Sequence, residues 1–408
     1  MNRTFFAPAA DRSSVAPAKL PALSAKRRSC FRVELHSDFS NAEFRHTWKS
    51  FEQSATATAF QRLSYIQALL ANIVPQRAVE PILVGVRDTS CGAIVLVASL
   101  MRTRRHGVSV IEALDLGLCD YFAPLIRPGL EFSAVEFDEL WREICGALKP
   151  VGALSIEKIP AEIFGYPNPL AKLPSARPTN DFATTLRMRA ADGAHLVDLQ
   201  SYSVVRKANR LCRKPENWGN IQLELADTAA ALQQALDLMV AHRLVRSHAL
   251  GRHDLLDDRG FIAFYRQLAQ DGLADGSVRV FVLSSDAEPI AVVYSLVHRN
   301  ALTVVVPSMT TEERWRKLSP GLVAMVKCCE WADREGFHNF DLSVGALQYK
   351  TRFGGDQRRL YEIRQALSPA GLLITAEVTA KRRLRAFAAR HPKAKALVRR
   401  MLRRPPAT

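Results

Sequence analysis

Between residues 59 and 74 (AFQRLSYIQALLANIV) apolar side chains recur at three- and four-residue spacing and Pro75 follows, so the pattern predicts a helix that stops there. Residues 82–86, 94–100 and 108–114 are rich in β-branched and apolar residues and read as strands. Helical spacing returns over 135–148, with Leu140, Trp141, Ile144 and Leu148 on the predicted inner face. Four prolines within 167–178 place a loop or domain boundary there. The second half follows the same plan. Residues 228–246 and 260–271 have helical periodicity, and 278–283, 290–298 and 302–306 read as an antiparallel meander whose turns hold Asp286 to Pro289 and Arg299-Asn300. Residues 319–335 then predict a helix, with Ser319 as N-cap, Pro320 in the first turn and Gly336 as its stop. Along 337–344, Phe340, Leu342 and Val344 alternate with Asp341 and Ser343, a strand with one buried face. Each half thus carries a strand meander followed by helix and strand, which predicts an α/β fold with a mixed sheet.

A chain of 408 residues exceeds one ordinary hydrophobic core, and 48% hydrophobic with 24% charged residues is globular composition. Two domains are expected, 31–185 and 186–375. The longest apolar run, 91–101, is well short of the roughly 20 residues that span a bilayer. Residues 1–30 hold scattered bases among Ala, Ser and Pro without the apolar block of a secretory signal, and read as a disordered basic tail. The seven cysteines are scattered and show no metal-ligand spacing, so a reduced, cytoplasmic protein without a metal is expected. Adjacent Cys328 and Cys329 fall on the apolar run of the 319–335 helix, as buried structural thiols do.

The net charge of +16 changes its meaning once located. Residues 1–30 and 376–408 together hold 17 of the 56 Lys and Arg but only two of the 40 acids, so the body between them is nearly neutral. That distribution argues against a nucleic-acid partner. In 376–408 Leu384 with Phe387, and Leu397 with Met401, stand at helical spacing among eleven bases, a basic amphipathic tail suited to peripheral contact with an anionic membrane.

Candidate chemistry gathers between the last meander strand and the 319–335 helix. There Arg314, Arg316, Lys317, Ser319, Pro320 and Gly321 form a strand-loop-helix joint, and a helix start with unpaired N–H groups, nearby bases and a residue without a side chain suits a pyrophosphate. Ser-Pro-Gly is also a good N-terminal cap and nothing more.

Over about residues 200–365 the chain resembles the GNAT acetyltransferase domain of bacterial cellulose-biosynthesis-associated proteins, akin to Fem-type aminoacyltransferases. The matching stretches are His242-Arg243, Phe261-x-x-Phe264-Tyr265-Arg266, Phe281-Val282-Leu283, Pro289-Ile290-Ala291, Leu318-Ser319-Pro320-Gly321, Gly336-x-x-x-Phe340-Asp341 and Gly345-x-x-x-Tyr349-Lys350-x-x-Phe353-Gly354. Upstream, Ala59-Phe60-Gln61, Asp120-Tyr121-Phe122-Ala123-Pro124-Leu125 and Asn168-Pro169-Leu170 resemble the first half of the same proteins. The resemblance implies two tandem GNAT-like domains, with acetyl-CoA or another acyl-CoA at the Ser319 helix start between splayed strands, held by Arg316, Lys317, Ser319, Pro320 and Gly321. The acceptor it implies is an amine or hydroxyl, such as an amino sugar or polysaccharide precursor. Asp341 is then the candidate base, Tyr349 the acid that protonates the leaving thiolate, and Lys350 a contact to phosphate or an anionic acceptor. Where many relatives carry acidic residues before the Tyr-Lys pair, this chain has Ala346, Leu347 and Gln348. That departure leaves open a catalytically inactive GNAT-shaped binding protein, and the Fem-type likeness leaves open a tRNA-dependent aminoacyltransferase, against which the nearly neutral body argues.

Overall fold

The computed structural model describes residues 31–39, 41–345 and 348–390, the side chains of residues 215, 348, 349, 381–383 and 385–390 excepted. Its first half runs β1 (Phe31–His36), α1 (Ala42–Ser54), α2 (Leu63–Asn72), β2 (Glu80–Asp88), β3 (Ile94–Arg105), β4 (Val108–Ala113), β5 (Leu125–Ile126), α3 (Ala134–Ala147) and β6 (Ala153–Pro160). A small hairpin, β7 (Glu162–Ile163) with β8 (Tyr166–Pro167), leads to β9 (Ala176–Arg187). The second half runs α4 (Ser203–Cys212), α5 (Pro215–Trp218), β10 (Ile221–Leu225), α6 (Ala229–Ala249), α7 (Arg259–Asp275), β11 (Val278–Ser285), β12 (Glu288–His298), β13 (Ala301–Met309), α8 (Pro320–Arg334), β14 (Asn339–Val344), α9 (Gln348–Thr351), β15 (Asp356–Ala366) and α10 (Pro369–Arg390).

Both halves have one topology. β1 to β4 form an antiparallel meander and β6 joins β4 in parallel after α3; β10 to β13 form another and β14 joins β13 in parallel after α8. A crossover helix is what permits those parallel pairs. The halves merge into one sheet of order β1-β2-β3-β4-β6-β15-β9-β14-β13-β12-β11-β10, with β5 added beside β3. At its centre the strands are exchanged. β9, which follows the first half, pairs with β14, and β15, which follows the second, pairs with β6. Neither central seam forms without the other half of the chain.

Helices cover both faces. α1, α2, α6 and α7 enclose one apolar core with Trp48, Tyr65, Leu69, Phe264, Tyr294 and Leu236, and α2 packs on α7 across the halves. On the opposite face α8 and α4 cover the second meander, and α3 covers the first through Phe137, Leu140, Trp141 and Ile144. Two local expectations are corrected here. β14 has two buried faces, since it lies mid-sheet: Phe340 and Leu342 pack with α8, and Asp341 and Ser343 are buried opposite them. Ser319 occupies the N-cap position of α8 but does not cap it, because its φ of 56° turns the side chain to the Arg316 carbonyl, 3.3 Å away. The remainder of the helix is as expected, with Pro320 in its first turn, Cys328 and Cys329 buried, and Gly336 beyond its end at φ 81°.

No helix among the described residues is long and apolar enough to cross a membrane. The basic stretch expected from residue 376 begins inside α10, on which Leu372 and Leu373 are exposed. Residues 1–30 and 391–408, with most of the expected membrane contact, lie outside the described residues.

Candidate active site

The parallel pair β13 and β14 stays together for three residues only, Ala301 with Asn339, Leu302 with Phe340 and Thr303 with Asp341. Beyond Thr303 the six further residues of β13 run unpaired on that side to Met309, about 20 Å at the usual strand rise. A local turn at Asp341 bends β14 away. Asp341 Oδ1 accepts the backbone N–H of Ser343 at 2.7 Å, an Asx-type turn, and Ser343 adopts a left-handed φ of 62°. The register against β9 slips there, between Asp341 and Val344. A bulge of this kind re-aims side chains beside a cleft.

The cleft is a cavity of about 410 Å³, within the range of small-molecule sites. Its floor is one face of the central strands, with Ala183 and Thr185 from β9, Thr303 from β13 and Asp341 from β14. Tyr121 closes one side from the first half, and Arg187, Arg299, Asn300 and His338 stand around the opening. Tyr121 arrives there because the chain after β4 crosses β6, where the Phe122 N–H donates to the Lys158 carbonyl at 2.9 Å. The equivalent groove of the first half is therefore filled by its own chain.

Asp341 is only 8% exposed. Burial pushes its carboxyl up to about 6, opposed by hydrogen bonds from the Ser343 N–H and from the Tyr121 hydroxyl, which donates at 2.9 Å. Both bonds end on Oδ1, which leaves Oδ2 to the cavity. Lys350 is buried as well, and its Nζ donates to the Ser343 and Val344 carbonyls at 3.2 and 2.8 Å. Burial lowers its pKa, and the nearby carboxylates of Asp120 and Asp341 counter that. Asp120, half-buried beside them, has its own pKa raised by desolvation.

The predicted residues therefore fall in two places. Asp341 and Lys350 meet at the turn after β14, where two of the three donors of the Lys350 ammonium go to the carbonyls of buried Ser343 and half-buried Val344. Tyr349 stands next to it on α9, with its side chain outside the described residues, as are Ala346 and Leu347 altogether. Arg316, Lys317, Ser319, Pro320 and Gly321 lie at the other end of β13. Arg316 and Lys317 are exposed, with Arg316 paired to Glu313 at 2.9 Å, while Trp315 and Leu318 anchor the joint by burial. A Cβ placed on Gly321 would stand 2.4 Å from Met309 Cε and 2.5 Å from its Sδ, so the glycine makes room where strand end and helix start touch. Sequence reasoning missed Tyr121, Thr303 and the arginines of the opening. Tyr121 had a signal, since it lies in the Asp120–Leu125 stretch quoted above, but its contact with Asp341 spans 220 residues of sequence. Among the described residues no cluster of His, Cys, Asp and Glu is arranged to hold a metal ion.

Residues 202–351 match the family model of the acetyltransferase (GNAT) domain. Among solved structures, the crystal structure of FemX superposes with a TM-score of 0.54 at 12% identity, over 84% of this chain and 100% of that one. A conserved protein of unknown function from Bacteroides thetaiotaomicron VPI-5482 superposes with a TM-score of 0.50 at 10% identity, over 81% of this chain and 100% of that one. At such identities the likeness is one of fold. No curated protein matches. The second half of the chain thus carries a GNAT acetyltransferase domain within a larger fold shared with FemX.

Proposed function

We propose that this GNAT-domain protein moves an acyl group from acyl-CoA to an amine or hydroxyl acceptor held over Asp341, an amino sugar or other polysaccharide precursor being of suitable size. The observation that carries this reading is a buried carboxylate, pushed up to about 6, with one oxygen open to a cavity on the strand pair that splays toward a glycine-bearing helix start. Acyl-CoA would supply the activated thioester. The chain's residues fit it at both ends. At the α8 start Pro320 has no N–H and the Leu322 and Val323 N–H groups are bonded to the Ser319 carbonyl at 2.9 and 3.2 Å, which leaves the Gly321 N–H for a ligand; Gly321 offers no side chain, and Lys317 is exposed. The length of unpaired β13, about 20 Å, suits a long flexible arm reaching from that helix start to Asp341.

In this reading Asp341 Oδ2 takes the proton that an acceptor ammonium gives up. A carboxyl that titrates near 6 is ionised at neutral pH and more basic than an ordinary aspartate, which suits a general base. Tyr121 is a positioning residue, since its hydroxyl fixes Oδ1 and so aims Oδ2. Tyr349, protonated at neutral pH as phenols are, donates to the leaving thiolate.

Acetyl-CoA at about 100 times its dissociation constant should stabilise the chain by about 2.7 kcal/mol, a thermal shift of a few degrees. Gly321→Ala, for which the flexible tip of Met309 need only move aside, should weaken that shift with little effect on the unliganded melting temperature, and Gly321→Leu should remove it while also lowering that temperature, since the glycine is buried. No shift with acetyl-, succinyl- or long-chain acyl-CoA for the natural sequence would count against the reading. Tyr121→Phe should act through pH. Losing the donor raises the Asp341 pKa further, so the acidic limb of kcat/KM moves to higher pH while the plateau changes little. A limb that stays put in a pH-rate series would remove Tyr121 from the site.

A further inference from the structure

We infer that the cavity binds an acceptor carrying an anionic group, a carboxylate or a phosphate, seated on the Arg187 guanidinium while its amine or hydroxyl faces Asp341. The role of acceptor rests on the acyltransferase reading; the anion site itself rests on the arrangement of charges.

Four arginines line the cavity, and three have other work. Arg189 bonds the Asp333 carbonyl at 2.7 Å and its carboxylate at 3.3 Å, Arg358 pairs with Glu162 at 3.2 Å, and Arg299 donates to the carbonyls of Ser54 and Ala55 at 3.0 and 2.6 Å. Arg187 is exposed and has no side-chain partner among the described residues. It stands opposite Asn339 on the cavity face, one same-face step from the Thr185–Asp341 pair. Such a step is about 7 Å, so a molecule the size of an amino acid or a monosaccharide reaches both the guanidinium and the carboxylate.

The charges around the cavity favour an anion there. The Glu162 carboxylate is taken by Arg358, which leaves Asp341 as the acid facing Arg187 and Arg299, and Arg299 has no carboxylate partner among the described residues. His298 on the wall contributes no charge near neutrality, since burial, with Arg62 and Arg299 nearby, pulls it down to about 4. A neutral acceptor leaves the Arg187 fork to water. An anionic one gains charge-assisted, two-pronged hydrogen bonds whose geometry fits carboxylate and phosphate alike.

Calorimetric titration of the full chain with matched probes tests this: glucosamine 6-phosphate against glucosamine for the phosphate arm, alanine against alaninamide for the carboxylate arm. In at least one arm the anionic member should bind tenfold or more tightly, and Arg187→Gln should erase that preference while Arg187→Lys keeps part of it. Equal binding within both pairs, no binding by either anionic probe, or a preference that survives Arg187→Gln overturns the inference. The acetyl-CoA thermal shift, measured on the same samples, keeps the two readings apart. A preserved anion preference without that shift counts against the acyl donor alone, and a preserved shift without the preference counts against the anion site alone.

Discussion

Asp341→Asn should lower turnover by a factor of about 10² to 10⁴, the usual contribution of a positioned general base, and at the same time raise the melting temperature at neutral pH. The two effects have one cause. A carboxyl held near 6 in the fold, against an ordinary value near 4, makes the folded state bind its proton more tightly than the unfolded chain does. Below about pH 4 both states hold the proton and there is no penalty. As pH rises from 4 to 6 the unfolded chain releases it first, and above 6 the fold bears a buried charge at a cost on the order of 3 kcal/mol. Asparagine keeps an oxygen for the Tyr121 hydroxyl and the Ser343 N–H but carries no charge. For a chain of this length the gain corresponds to about 3–4 °C. Thermal melts from pH 4 to 8 should show the variant and the natural sequence coinciding at the acid end and separating above pH 6. A variant that is less stable than the natural sequence at pH 8, or equally active, would refute the assignment of Asp341 as a strained base.

How much of this was legible in the sequence depends on how local each feature is. The meander strands β11 to β13 and helices α3, α6, α7 and α8 carry their own periodicity, and the expected ranges lie within a few residues of the observed ones. β9 and β15 were not legible. β9 (ARPTNDFATTLR) follows a proline cluster and is largely polar, and β15 (DQRRLYEIRQA) is dense in charge, including Arg364, which is bonded to Glu157 at 2.6 Å and Glu362 at 2.9 Å. Each is a strand because of what flanks it, and for both that includes a strand of the other half. The site shows the same division. Asp341 was found by its alternation with Phe340 and Leu342, although the face it shares with Ser343 is buried mid-sheet under the cavity and not open to solvent. The helix start at Ser319 to Gly321 was found from local residue types. The cavity was not, because Tyr121, Arg187 and Arg299 converge through the strand exchange and the β12–β13 turn, which no sequence spacing records.

Lys350→Met should be the most destabilising of these substitutions. Lys350 is 5% exposed and its ammonium donates to the consecutive carbonyls of Ser343 and Val344, so it fastens the turn that bends β14 away from β13. It also faces Asp120 and Asp341, and those carboxylates counter the burial that pulls its own pKa down. Methionine matches the aliphatic stem but leaves two carbonyls without this donor, and the buried Asp341 and half-buried Asp120 carboxylates without this cation. Removing one partner from such a set costs on the order of 3–5 kcal/mol, which for a chain of this length is about 5 °C in melting temperature. Loss of packing alone would also lower the melting temperature, and the pH-rate profile separates the two. Because the Lys350 charge holds the Asp341 carboxyl down, its removal should push the acidic limb of kcat/KM to higher pH, in the same direction as Tyr121→Phe. The stability deficit of the variant should shrink toward pH 4, where protonated carboxyls no longer need a cation. A variant that melts lower but keeps both its acidic limb and a constant deficit across that range would show Lys350 to be a structural clamp on the turn, with no electrostatic hold on the base.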